Sequence, residues 1–461
     1  MRIRGATVFG AGGPAIADVL VEGGRVAALG RDVGRGGEEV DARGLWLLPG
    51  AIDAHVHSRD PGFPAKEDFE SLTAAAAAGG VTTVVDMPNT VPVVDSAAAF
   101  DEKLEQVSGR ARVDFALWGG VRSSSSDDDV QGLLDAGAVG IKAYLGYAVR
   151  RSTGQVVYTL DTGDPDLEPP PGYGTLARVA PLLAGYRAPL AVHAEDPDVL
   201  RAYARPLGAY ADVLAARPPL AEAVAVAALA AISRASGCAT HIVHLSGAEG
   251  LGEGAAARQA GVALHLETCP QYLWCTDEDA ERMGGVAKMY PPIRGAGDRA
   301  ALRVALRDGL IERVATDHAP HEDGEKLGRS LEDTAAGSPG VQTLYLSCLE
   351  LAGELGAPPA AAVRWVSEGP ARGLGLWPRK GVIQPGSDAD LVLVDPGGET
   401  VVRPEAMRSR QRHGVFDGRR FGFAVKAVWS RGDEVARDGE PVGGPGRGVL
   451  VRPAARGGLT G

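Results

Sequence analysis

The chain has 461 residues, enough for two or three structural units. Hydrophobic residues make up 45% and charged residues 23%, which excludes a disordered or low-complexity chain and leaves material for a large core. The formal net charge is -12, without a long basic run, and this argues against non-specific binding of nucleic acid or of an anionic membrane.

The first residues, Met1-Arg-Ile-Arg-Gly-Ala-Thr-Val-Phe, lack an apolar core of signal length. Residues 1–50 read as short strands separated by Gly-rich turns, and residues 378–461 read the same way. Two β-rich ends around a long middle predict one small discontinuous β-sandwich domain built from both termini. From Gly439 the run Gly-Glu-Pro-Val-Gly-Gly-Pro-Gly-Arg-Gly reads as a loosely held tail.

The middle, 51–377, alternates. Strand-like segments at 51–57, 81–87, 114–118, 140–145, 190–193, 241–245, 263–267 and 313–317 are mostly followed by helix-like ones, at 69–78, 97–107, 130–136, 176–184, 220–235, 254–260 and 299–308. Eight such slots are the number of a (β/α)8, TIM-like barrel; the alternative is an open doubly wound α/β sheet. The apolar run from Ala221 to Ile232 is short, and Glu222 breaks it, so no bilayer span is expected there. Two insertions, 147–174 and 272–298, follow strand ends and are candidate lids or plain surface loops. Cys238, Cys269, Cys275 and Cys348 are too scattered for a disulfide framework and are read as reduced thiols of a cytoplasmic protein.

Chemistry-bearing residues fall at the strand ends. His55 and His57 are two apart and share one side of a strand. His193, His244 and Asp317 end three further slots, and Lys142 lies within the apolar segment Gly-Ile-Lys-Ala-Tyr-Leu. In a barrel such ends converge, whereas in an open sheet these slots would not. The six side chains form a candidate site for two divalent cations. An ammonium cannot ligate a cation, but a lysine carboxylated by CO2 offers two carbamate oxygens that bridge a pair. His55, His57 and Asp317 would take one cation, His193 and His244 the other, and a shared water would fall in pKa toward neutrality. The plain alternative for Lys142 is a buried or salt-bridged lysine. His241 and His265 are assigned to packing or strand surface, His413 is taken as ordinary, and His318, next to Asp317, is a candidate for orienting a neighbour.

These residues resemble the cyclic amidohydrolase branch of the amidohydrolase superfamily over nearly the whole chain. Asp53-Ala-His-Val-His-Ser-Arg-Asp-Pro-Gly62, Ala76-Ala-Ala-Gly-Gly-Val-Thr-Thr-Val-Val-Asp-Met-Pro-Asn-Thr90 and Ala315-Thr-Asp-His-Ala-Pro-His321 are similar to dihydroorotases, with Asp60 where that family usually has Glu. Arg217-Pro-Pro-Leu-Ala-Glu222, His241-Ile-Val-His-Leu-Ser-Gly247, Glu267-Thr-Cys-Pro-Gln-Tyr-Leu273 and Tyr147 instead resemble allantoinases and hydantoinases. The resemblance implies reversible hydrolysis of a ring amide on two metal ions, zinc in expectation, with Asp317 as ligand and proton shuttle. A homo-oligomer and a small cyclic ureide or amide substrate are implied as well. Arg59, Asn89 and His321 match the dihydroorotase residues that hold a substrate carboxylate, which puts dihydroorotase first and allantoinase or dihydropyrimidinase/hydantoinase second. Arg59 has a local alternative, a salt bridge to Asp60, Glu67 or Asp68. A non-catalytic scaffold homologue is the rival from another class, and the intact ligand set argues against it.

Overall fold

The computed structural model describes every residue except 32, 35, 36, 159, 161, 162 and 455–461. Part of the first insertion, Asp161 and Thr162 included, and the end of the expected terminal domain therefore lie outside the described residues.

The middle of the chain is mixed α/β. Its strands are β1 (Ala51–Val56), β2 (Val81–Asp86), β3 (Asp114–Leu117), β4 (Ile141–Tyr144), β5 (Leu190–His193), β6 (Thr240–Ile242), β7 (Leu264–Thr268) and β8 (Arg313–Val314). Neighbours in this order pair in parallel. Beyond Leu117 the third strand runs on through Gly119–Gly120, which pairs with β4. A parallel bridge between Val56 and His318 joins the segment after β8 to β1. The ladder thus visits the eight expected slots in chain order and returns to the first.

β1 and β2 are buried along their whole length, as strands covered on both faces must be. One side packs Ile52, Ala54, Val85, Ala116, Trp118, Ala191 and Val243 against each other. The other side joins the helices in the main core. Gly140 makes this packing possible: a Cβ there would lie 2.6 Å from Trp118 and 2.5 Å from the carbonyl of Pro189. The helices start where the sequence caps them. Asp68 accepts from the backbone N–H of Ser71 at 2.8 Å before Phe69–Ala78, and Ser126 caps Asp127–Ala136.

The apolar stretch extends beyond 221–232 on both sides. Tyr210–Ser236 is long and apolar enough to cross a membrane. In the fold it is two helices, Tyr210–Ala216 and Pro219–Ser236, and the second buries Ala225, Val226 and Leu229 in the core.

Strands from both termini lie in one nine-stranded sheet. Trp46–Pro49 connects the two ends, pairing in parallel with Arg2–Gly10 and antiparallel with Leu391–Asp395. The sheet curls, so that Arg25 bridges Asp388, and it encloses Ile3, Val8, Val19, Leu391 and Trp429.

The tail is a correction. Glu440–Pro441 extends the sheet beside Asp433–Arg437. The backbone N–H groups of Gly446 and Gly448 donate to the carbonyl of Ala111 at 2.8 and 3.0 Å, and that of Val451 donates to Phe115 at 2.7 Å. A Cβ at Gly448 would lie 2.0 Å from the carbonyl oxygen of Val113. Its glycine permits close backbone approach to β3, which composition alone read as looseness. The insertions differ as well. Within 147–174, Ala148–Arg150 pairs with Val156–Val157 and Leu167–Glu168 in a small antiparallel sheet. The stretch 272–298 is largely helical, with Lys288, Met289, Ile293 and Arg294 buried.

Candidate metal and active site

The ends of β1, β4 and β5 and the turns after β6 and β8 surround one cavity of about 940 Å3. β6 and β8 end earlier than the sequence pattern predicts. His244 and Asp317 sit at φ of 42° and 51°, in the left-handed region, and so does Arg59 at 60°. A left-handed residue breaks the extended ladder and redirects the side chain. Strain of this kind at three cavity residues marks a functional position.

The carboxylate of Asp317 lies 3.0 Å from Nε2 of His57 and 3.3 Å from Nε2 of His55. These three residues offer ligand atoms close enough to share one cation. Nδ1 of His57 faces Oδ1 of Asn89 at 2.6 Å, and Nδ1 of His55 faces Glu267 at 3.4 Å. Each Nδ1–H is thereby given an acceptor, which leaves both Nε2 lone pairs free for a metal. Nε2 of His193 lies 2.8 Å from Glu195, and its Nδ1 lies 2.9 Å from Nε2 of His244. Burial holds all four imidazoles below the ordinary histidine value, in the neutral form that ligates.

Lys142 is fully buried, and its Nζ has no hydrogen-bond partner. It sits 4.9 Å from the centre of the Tyr144 ring. Burial pushes the amine down to about 7. A buried ammonium without a carboxylate would be costly, whereas a neutral amine is the form that adds CO2. The orphaned amine, the four neutral imidazoles and the Asp317 carboxylate fit a pair of divalent cations and a bridging carbamate.

Arg59, Asn89, Tyr147 and His321 all line the cavity. The local salt bridge considered for Arg59 is not formed. Asp60 pairs with Arg110 at 2.6 Å, Glu67 with His318 at 3.2 Å, and Asp68 with Arg410. Arg59 donates through Nε to the carbonyl of Pro320 at 3.2 Å and sets Nη2 3.1 Å from Nε2 of His321. That same Nε2 lies 2.9 Å from the carbonyl of Ala336. Burial, then the charge of Arg59, lowers His321 to about 3, so its ring is neutral. Tyr147 packs its ring 4.4 Å from that of His193. His318 reaches the site through its backbone, whose carbonyl accepts from the N–H of His57 at 2.8 Å. His241 is buried 3.1 Å from Glu267, His265 pairs with Glu312 at 2.8 Å, and His413 pairs with Asp417 at 3.0 Å.

Three site residues had no role in the sequence reading. Glu195 holds His193 and is itself held by Arg217. Burial pushes its carboxyl up, but the Arg217 charge and the His193 bond outweigh this and keep it at about 2. Arg217 also stacks on Tyr290 at 3.6 Å. Glu267 spans His55 and His241, and burial raises it to about 8. Glu195 carried a signal: it is two residues after His193, the same spacing that singled out His55 and His57.

Comparison with known proteins agrees with this geometry. The model of the amidohydrolase family matches residues 46–435. The chain is 38% identical to an allantoinase of Rubrobacter xylanophilus, over 98% of this chain and 97% of the other. It is 34% identical to a dihydroorotase of Methanosarcina mazei, over 94% of each. The structure of an L-hydantoinase from Arthrobacter aurescens matches with a TM-score of 0.91 at 30% identity, covering 98% of this chain and 99% of that one. These relatives do not favour dihydroorotase over allantoinase, contrary to the order that the carboxylate-clamp residues suggested. They are all hydrolases of cyclic amides, and this chain is an enzyme of the amidohydrolase family, in its cyclic amidohydrolase branch.

Proposed function

We propose that this enzyme opens the ring of a cyclic ureide, with allantoin ahead of dihydroorotate as substrate. The observation that carries the hydrolytic reading is the partnerless buried amine of Lys142 among neutral imidazoles and the Asp317 carboxylate. We read the closed parallel ladder as a (β/α)8 barrel over 51–377, and the curled terminal sheet as a β-sandwich domain of 1–50 and 378–461. Carboxylated Lys142 would bridge two zinc ions, one held by His55, His57 and Asp317 and the other by His193 and His244. Such ions supply Lewis acidity for the ring carbonyl and bring water close to neutrality as a nucleophile.

The chain's own groups do the rest. Asp317 takes the proton of the attacking water on its carboxylate. It returns that proton to the ring nitrogen as the C–N bond breaks, leaving a carboxylate and an open carbamoyl compound. Burial keeps the Tyr147 hydroxyl protonated well above the ordinary tyrosine range, ready to donate to the carbonyl oxygen. Glu195 and Asn89 fix the rings of His193 and His57.

Two observations support allantoin over dihydroorotate. Relatives named allantoinase reach 38% identity against 34% for a dihydroorotase. In the carboxylate clamp, Nε2 of His321 is already engaged by the carbonyl of Ala336. Arg59, whose Nε faces Pro320 and whose Nη2 faces His321, turns its guanidinium into the cavity, and its charge favours dihydroorotate as the second reading. Four buried, unbonded cysteines support a cytoplasmic setting; a homo-oligomer is part of the same reading. Hydrolysis rates for allantoin, hydantoin, dihydrouracil and dihydroorotate, measured side by side, test the proposal.

A further inference from the structure

A second cavity, of about 410 Å3, lies apart from the metal site and is lined by Trp274, Arg282, Arg299, Arg303, Arg419 and Glu354 among others. Arg303 pairs with Glu354, Arg282 pairs with Asp279, and Arg299 donates to the carbonyl of Trp274 at 3.2 Å. Arg419 is different. Its guanidinium stacks on the Trp274 ring at 3.7 Å, and it makes no side-chain hydrogen bond or ion pair with any described residue. Its Nε and the indole N–H of Trp274 are both buried donors without an acceptor. Trp274 itself is 6% exposed. Buried donors in a native fold are normally satisfied, so these two orphans, one on the Arg419 guanidinium and one on the ring it stacks on, point to a missing acceptor. Four arginines face two carboxylates, Asp279 and Glu354, in the wall. The excess charge is positive, and guanidinium forks match the oxygens of a phosphate.

We propose that this cavity binds a phosphate dianion, free or as a small phosphate monoester, through Arg419, Arg299 and the indole N–H of Trp274. The cavity is wider than one phosphate group needs, which leaves room for an attached small organic part.

The test is calorimetric titration of the intact protein with inorganic phosphate and, in a second arm, with glycerol 1-phosphate, at fixed ionic strength. Tighter binding of the ester identifies a monoester, and equal or weaker binding identifies free phosphate. Either supports the site when Arg419→Gln weakens binding by about tenfold or more, the scale of one charged hydrogen bond. Trp274→Phe keeps the ring under Arg419 and removes only the N–H; it should weaken binding several-fold and covers the case in which Arg419→Gln does not fold. Three results overturn the proposal. One is no binding of either anion, and another is binding that both variants leave unchanged, which would place the anion at the metal site. The third is a change of oligomeric state in the variants without a change in phosphate affinity, which would assign the cavity to a second copy of the chain.

Discussion

Nδ1 of His193 faces Nε2 of His244 at 2.9 Å. Glu195 takes the Nε2 hydrogen of His193, so the nitrogen turned to His244 carries a lone pair. In the protein without a cation, Nε2–H of His244 can donate to that lone pair, and a cation between the two nitrogens would replace the proton. Glu195→Gln should weaken the hold on that ring while leaving every ligand in place. Removal of such a supporting carboxylate typically costs 10–100-fold in metal affinity. Metal content after dialysis against a weak chelator checks this; unchanged retention of two metal ions per chain would count against the role given to Glu195.

Asp317 is expected to serve as both ligand and proton carrier. Asp317→Asn preserves shape and removes the basic oxygen. Its kcat should fall by about 10²–10⁴, the range for a lost general acid or base, with part of the metal retained. Near-normal turnover in a metal-loaded variant would remove Asp317 from proton transfer.

The buried amine of Lys142 has a cost when no cation is bound. Its pKa falls from 10.5 to about 7 through burial. Between those values the unfolded chain holds the extra proton, so stability of the metal-free protein should rise as pH goes from about 7 to about 10. Lys142→Met removes the penalty. Metal-free Lys142→Met should therefore melt above wild type at pH 7, with the gap narrowing toward pH 10, and should have lost nearly all activity. A gap independent of pH would show that the amine is not the cause.

The slots and strand-end residues of the middle region were legible because a parallel strand buried on both faces is a short apolar run, and its polar terminus stands out. What pattern reading could not supply was the left-handed turn at His244 and Asp317, which ends β6 and β8 early, since backbone φ leaves little trace in composition. The supporting residues Glu195, Arg217 and Glu267 were hidden because their partners are far along the chain or, for Glu195, because it lies beyond the strand end at His193. The glycine-rich tail misled for a related reason: Gly446 and Gly448 suit close packing on the backbone at Ala111 and Val113 as well as they suit a loose coil.

Arg59 tests the choice of ring. Its guanidinium is the one fixed positive charge among the clamp residues that line the cavity, so Arg59→Met should matter most for a ring that carries a carboxylate. Loss of a charge-assisted contact in such a site is worth roughly 2–5 kcal/mol, or about 10¹–10³ in kcat/KM for dihydroorotate at roughly 1.4 kcal/mol per decade. The effect on hydantoin should be small. Equal losses on both rings would mean that Arg59 shapes the site and does not read the substrate.

The most direct measurement is the kcat/KM of the zinc- and bicarbonate-reconstituted enzyme on allantoin and dihydroorotate, with chelated enzyme as the control. The account predicts metal-dependent hydrolysis with allantoin the better substrate. Equal rates with and without metal, or turnover of dihydroorotate with allantoin left intact, would contradict it.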